Sequence, residues 1–282
     1  MKLVRYGEKG REKPGAIDAH GRIRDLSGIV ADFTPDVMTI ELRDRLTGLD
    51  LDGLPVIDGN PRLGAPIART GHFIAIGLNY VDHAKEAGQP IPAEPVIFSK
   101  APSSLSGPND DVILPRGSVK GDWEVELGFV MGRHCHYVDQ ADALSAVFGY
   151  VLANDVSERT FQIEGTGQWI KGKSAPTFGP IGPWLVTADE IPDPQNLGMW
   201  LDVNGERMQT GNTRTMIFPV AELIAYCSEK MDLEPGDLII TGTPPGVGLG
   251  MKPQKFLKAG DEMRLGMDRL GEQRQKVVAF QG

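Results

Sequence analysis

A chain of 282 residues can form one large domain, or a main domain with a smaller one beside it. A formal charge of −9 with no basic stripe argues against a nucleic-acid partner. No apolar run approaches the roughly 20 residues that cross a bilayer, and Cys135 and Cys227, with no CxxC pair, cannot build a disulfide framework. With 35 glycines and 21 prolines, many turns and short elements are expected rather than long helices. The opening Met1-Lys2-Leu3-Val4-Arg5-Tyr6-Gly7 has no hydrophobic signal core, so a cytoplasmic protein with reduced, non-catalytic thiols is expected.

Residues 1–65 read as a small β-rich domain. The opening segment is its first strand, and Asp18-Ala19-His20-Gly21 marks a hairpin turn. A helix is expected over 39–46, and the Gly/Pro clusters at 59–66 read as linker. The larger unit, 70–282, opens with strands at 73–77 and 95–99. Between them, a helical phase over 77–88 would set His83 and Glu86 on one face. A carboxylate beside an imidazole raises its pKa and orients it, which suits a base acting on water. A solvated helix end has the same spacing, and so do some metal sites.

The run Trp123-Glu124-Val125-Glu126-Leu127-Gly128 alternates carboxylates with strand-forming apolar residues. Residues two apart in a strand share a face, so both acids project side by side from an otherwise apolar segment. Such a pair requires a shared proton, basic neighbours or a hard divalent ion such as Mg²⁺ or Mn²⁺, unless its face is simply wet. A short helix is expected over 139–147 and a strand over 150–154. Asp155 would then stand at the end of that strand as a third carboxylate or as a helix N-cap, with Arg159 and Gln162 about one turn apart beyond it.

Residues 171–180 read as a turn-rich loop, in which Lys173 could stabilise an oxyanion or move a proton. Strands are expected at 184–187, 200–203 and 238–241, and apolar positions over 218–231 recur at helical spacing. The loop Thr241-Gly242-Thr243-Pro244-Pro245-Gly246-Val247-Gly248 could bring backbone close to a carboxylate. It is no nucleotide loop, because Pro244-Pro245 interrupts the donors and no helix opens after it. Many strands without regular β-α alternation point to a mixed, β-rich α+β fold.

Five motifs in this order resemble the fumarylacetoacetate hydrolase family: Gly77-Leu78-Asn79-Tyr80-Val81-Asp82-His83, Glu124-Val125-Glu126-Leu127, Asn154-Asp155-Val156-Ser157-Glu158-Arg159, Gly172-Lys173-Ser174 and Thr241-Gly242-Thr243-Pro244. The opening segment and Gly21-Arg22-Ile23-Arg24-Asp25-Leu26-Ser27 are similar to the branch acting on 2,4-diketo-3-deoxy-L-fuconate and -rhamnonate. The resemblance implies a β-sandwich roll, a homodimer, and Mg²⁺ or Mn²⁺ held by Glu124, Glu126 and Asp155. It implies a water-activating pair, His83 and Glu86, on a mobile lid. Lys173 would stand near the scissile bond, and Arg159, Gln162 and Thr243 would contact substrate. The expected reaction is hydrolysis of the C3–C4 bond of an acylpyruvate-type acid; a sugar-derived substrate would give pyruvate and lactate. The alternatives are a decarboxylase or tautomerase/isomerase on the same site and, from another class, a non-catalytic oxo-acid binding protein.

Overall fold

Val125–Met131 is buried at every residue, so it must be paired on both edges and covered on both faces. It runs antiparallel to Val147–Asn154 on one side and to Leu238–Ile240 on the other. Phe73–Gly77 adds in parallel beyond Leu238–Ile240, and Val96–Ser99 closes that edge. On the other flank Leu185–Thr187 pairs with Lys2–Tyr6, and Lys13–Ile17, Ile23–Asp25 and Val56–Ile57 follow. The N-terminal strands thus continue one sheet of ten strands. A second sheet holds Glu206–Asn212, Gly198–Val203, Glu262–Met267, Gly271–Ala279 and Val112–Leu114, in that order. In this computed structural model the described residues are all but Ala87 and Gln89, and the described side chains exclude those of His83, Ala84 and Lys85.

The alternation in Val125–Met131 divides two cores. Val125, Leu127 and Phe129 pack with Leu201, Met263 and Leu265 of the second sheet. Val130 faces the other way, into a cluster with Leu3, Phe33, Leu42 and Phe148. This is the mixed β-rich sandwich expected from the sequence. Glu124 and Glu126 share the parity of Val130, at the end of the strand where that second core stops.

The helices follow their sequence signals with informative departures. Ile40–Thr47 is capped by Thr39, whose hydroxyl accepts from Leu42 N–H. Val220–Lys230 buries Val220, Leu223, Ile224 and Cys227, one helical stripe. Over the expected helix 139–147, the α-helix covers only Gln140–Ala143 and a 3₁₀ turn ends at Ala146. Val147 already belongs to the strand, because pairing with Met131 recruits it into the sheet. The strands Glu206–Asn212, Glu262–Met267 and Gly271–Ala279 were not anticipated; their polar, partly exposed residues hide the signal. No described helix is long and apolar enough to cross a membrane. Cys135 and Cys227 are buried and free, and burial pushes the Cys227 thiol up to about 12.

One ion cluster ties the N-terminal strands to the larger unit. Arg62 donates Nε and Nη2 to both oxygens of Asp110, at 2.7 and 2.6 Å, and Nη1 to Glu12 at 2.8 Å. Burial alone would raise the Asp110 carboxyl, but its hydrogen bonds to Arg62 and Gly107 N–H hold it below its ordinary value. A carboxyl depressed on folding stabilises above its unfolded pKa and loses that contribution as pH falls through the folded value. Asp110→Asn should therefore cost about 1–3 kcal/mol at neutral pH, below the full cost of breaking a buried pair because Arg62 keeps some solvent. In denaturant titrations this deficit should shrink as pH falls through the folded pKa of Asp110, where the wild type loses the charge as well. A deficit that stays constant as the pH falls would show that packing, not charge, makes the contact.

Candidate metal centre

Strand register assembles the carboxylates. Val125 pairs with Asn154, so the next pair outward is Glu124 opposite Asp155, joined by Asp155 N–H donating to Glu124 C=O at 2.9 Å. Gly128 pairs with Ile240, which carries the chain on to Gly242 opposite Glu126. Opposed side chains lie about 5 Å apart at Cβ, and Glu124 and Glu126 share a face. Ligand oxygens of Glu124, Glu126 and Asp155 all lie within 4.8 Å of one another. All three residues are buried, with Asp155 0% and Glu126 1% exposed.

Glu126 Oε2 accepts the Gly242 N–H at 2.8 Å. That approach needs glycine. Gly242 has φ +95°, and a Cβ would stand 2.9 Å from Asn79 Cβ and 3.1 Å from Ile76 O. Asn79 fixes the neighbouring backbone, donating to Phe218 O and Thr241 O and accepting from Phe218 N–H.

Cations surround the other two acids. Glu124 accepts from Arg159 Nη2 at 2.6 Å and from Lys173 Nζ at 2.8 Å. Asp155 accepts from Lys173 Nζ at 2.5 Å and Lys100 Nζ at 2.6 Å. Asp122, fully buried, accepts from Arg159 Nε at 2.8 Å and from the N–H groups of Trp123, Gly248 and Leu249. Among the described side chains, four carboxylates thus meet three cations. Burial first, then the charges of Asp155 and Glu124, push the Glu126 carboxyl well above the ordinary range. Burial alone would depress the Lys173 ammonium, but Asp155 and Glu124 reverse the sign and raise it. At Lys100 burial prevails and the ammonium is lowered despite Asp155. The guanidinium of Arg159 is held charged by Asp122 and Glu124 against its own burial.

The donor set fits a hard divalent cation. Oxygens that accept one hydrogen bond keep a second lone pair, and an added dication would relieve the repulsion among the three carboxylates. Glu124 and Glu126 line a cavity of about 770 Å³.

The structure gathers most of the residues singled out in the sequence. Glu124, Glu126, Arg159, Gln162, Lys173, Thr243 and Glu86 all line this cavity. Arg159 and Gln162 sit on the short helix Arg159–Ile163, joined by Nη1 donating to Gln162 Oε1 at 2.9 Å. Its N-cap is Glu158, not Asp155. Thr243 is held by its hydroxyl, which donates to Val125 O and accepts from Gln209 Nε2. Glu86 receives the Gly246 N–H at 3.0 Å. His83 belongs to the helix Val81–Glu86, and its side chain lies outside the described residues. Lys173 ends the helix Ile170–Lys173 where a loop was expected, and is 1% exposed.

Asp122, Lys100 and Gln209 escaped the sequence reading. Asp122 had a signal, since it precedes Glu124 by two and extends the alternation. Lys100 follows Val96–Ser99 and gives no hint in the sequence that its ammonium is buried against Asp155.

Comparison with known proteins agrees with this geometry. The family model described as "Fumarylacetoacetate (FAA) hydrolase C-terminal" matches residues 72–278. A Burkholderia multivorans protein with a general, provisional hydrolase designation is 61% identical over 280 residues, 99% of each chain. The solved fumarylacetoacetate hydrolase of Exiguobacterium antarcticum superposes with a TM-score of 0.87 at 36% identity, over 99% of this chain and 100% of that one. Maleylpyruvate hydrolase from Sphingobium sp. SYK-6, solved with manganese(II) and pyruvate, gives 0.80 at 32% identity, covering 100% of both chains. A 2-hydroxyhepta-2,4-diene-1,7-dioate isomerase from Mycobacterium marinum gives 0.76 at 30% identity, again over 100% of both.

A ligand that binds only the folded state stabilises it by mass action, about 2.7 kcal/mol at a hundredfold excess over Kd. Mn²⁺ at that excess should raise the thermal midpoint of the wild type. Glu126→Gln should fold and lose the rise, because the amide supplies no charge to the ion. An undiminished Mn²⁺-dependent rise in Glu126→Gln would remove Glu126 from the ligand set.

Proposed function

The chain belongs to the fumarylacetoacetate hydrolase family, and from that premise we propose that it hydrolyses the C3–C4 bond of 2,4-dioxo acids. A divalent-metal-dependent hydrolase acting on carbon–carbon bonds is what the acidic triad and the relatives together support. The observation that carries the finer reading is the meeting of three buried carboxylates with Lys173 and Arg159 beside a cavity that Glu124, Glu126, Arg159 and Lys173 line.

Glu124, Glu126 and Asp155 would hold Mg²⁺ or Mn²⁺, which when bound supplies a Lewis acid for the oxygens of the 2-oxo acid. The chain's own groups account for the rest. Arg159, fixed by Asp122, Glu124 and Gln162, presents a rigid positive group beside the substrate carboxylate. His83, oriented by Glu86, would take a proton from water as its oxygen bonds to C4. The C3–C4 bond breaks with its electron pair on C3. Lys173, kept charged by two carboxylates, would stabilise the developing oxyanion or return a proton to C3. The products are pyruvate and the carboxylic acid of the acyl group.

Two acyl classes deserve testing. The opening segments favour a hydroxylated, sugar-derived group, which gives lactate beside pyruvate. The name of the Sphingobium enzyme suggests an unsaturated one. A second reaction is favoured by the likeness to the Mycobacterium marinum isomerase. Isomerisation needs no attacking water, so it would survive loss of His83.

Pyruvate release from a panel of 2,4-dioxo acids should require Mg²⁺ or Mn²⁺ and stop on chelation. His83→Ala should lower kcat by about 10²–10⁴, the usual span for losing a general base. Affinity for oxalate, measured calorimetrically with Mn²⁺, should change far less. Turnover that persists with His83→Ala while double-bond migration is observed would replace hydrolysis by isomerisation.

A further inference from the structure

The cavity is chemically divided. At one end stand Glu124, Glu126, Arg159 and Lys173. The remaining wall is built largely from Phe98, Ile163, Trp169, Leu249 and Met251. Phe98 and Trp169 meet edge to face, with ring centroids 5.2 Å apart and planes at 66°. Phe98 also touches the ionic end, since Lys173 Nζ lies 5.2 Å from its ring centroid. Trp169 is seated against the backbone of Gly77, where a Cβ would come within 2.6 Å of the indole ring. The two rings therefore form a fixed surface that begins at the lysine and runs outward. Ile163 extends it and is 46% exposed, a large apolar side chain left open beside a charged site.

A hydroxylated acyl chain laid on this wall would give up water and find few partners. Its polar members are Glu86, Gln162 and Thr243, already engaged by Gly246 N–H, Arg159 and Gln209, and Lys252 and Gln254, which are exposed to solvent. Burying a hydroxyl without a partner costs about 1–3 kcal/mol, whereas apolar surface gains roughly 25 cal/mol per Å² covered. An aromatic ring also favours a flat aromatic partner, offset-stacked or edge to face.

We propose that Phe98 and Trp169 form an acyl-recognition subsite that selects 2,4-dioxo acids whose C4 substituent is flat and apolar, an aryl or conjugated alkenyl group, over polyhydroxylated ones. This rests on the hydrolase reading above and decides between its two acyl classes. Trp169 and Phe98 act on selectivity, through the part of the substrate that does not react.

The test compares kcat/KM for benzoylpyruvate with that for a 2,4-dioxo acid carrying a hydroxylated chain of similar heavy-atom count. The wild type should favour benzoylpyruvate at least tenfold. Trp169→Ala should reduce that ratio about tenfold, and Trp169→Phe should keep most of it. A wild-type preference for the hydroxylated acid, or an unchanged ratio in Trp169→Ala, overturns the subsite. Binding separates this from failure of the hydrolase reading. In a wild type that turns over neither compound, calorimetric affinity with Mn²⁺ for phenylpyruvate should still exceed that for a hydroxylated 2-oxo acid of similar size. Equal affinities would overturn the subsite without needing any variant to fold.

Discussion

The arrangement depends on a buried excess of negative charge. Asp122, Glu124, Glu126 and Asp155 are withdrawn from water, and the cations that meet them among the described side chains are Arg159, Lys173 and Lys100. Isolated carboxylates at such depth would cost many kcal/mol each, so every one is bound to a cation or a backbone N–H. Glu126 alone among the four has no cation in contact among the described bonds, and burial with the charges of Asp155 and Glu124 pushes its carboxyl upward. Among the described side chains one acid is thus left short of positive charge, on the wall of the cavity.

That deficit can be maintained because the scaffold does not yield. Glu124 and Asp155 are opposed across one antiparallel ladder, and Glu126 is opposed by Gly242 across the next. Sliding either strand by one residue would turn the acids to the other face. Register is locked by Leu127 and Phe129 on one side and Val130 on the other, each fully buried in its own core. Stability is thus spent on geometry: the two cores fix where three oxygens meet. Asp122 extends this outward by holding Arg159 and the N–H groups of Gly248 and Leu249 at once. A change in the 248–250 wall would therefore be felt by the guanidinium.

What could be read from the sequence was whatever repeats at the period of its own element. The alternation of Glu124 and Glu126 with Trp123, Val125 and Leu127 survived into the structure, as did the placing of Asp155 just beyond a strand. The stripe of Val220, Leu223, Ile224 and Cys227 likewise marked its helix. Illegible features were those decided at a distance. Lys100 is sequestered by Asp155, 55 residues away, and the outer strand Glu206–Asn212 takes its form from Gly198–Val203. Lys173 was noticed as a loop lysine, yet two distant carboxylates anchor it at the end of a short helix. A sequence reports local preference, whereas buried charge pairs are made by topology.

The cavity joins two kinds of recognition that respond differently to substitution. Its ionic floor is cooperative: Lys173 serves Glu124 and Asp155, and Arg159 serves Asp122, Glu124 and Gln162, so removing one member strands several. Its apolar wall is built from contacts that are individually weak and exchangeable, with Ile163 already open to solvent. Exchanging Leu249 or Met251 alters shape without leaving any charge unpaired. On the proposed hydrolase reading, selection on such a site can therefore vary the acyl half freely while the 2-oxo acid half stays fixed. Chains with one chemistry at the ionic end would then differ in what they accept at the wall, where this chain places the aromatic pair Phe98 and Trp169.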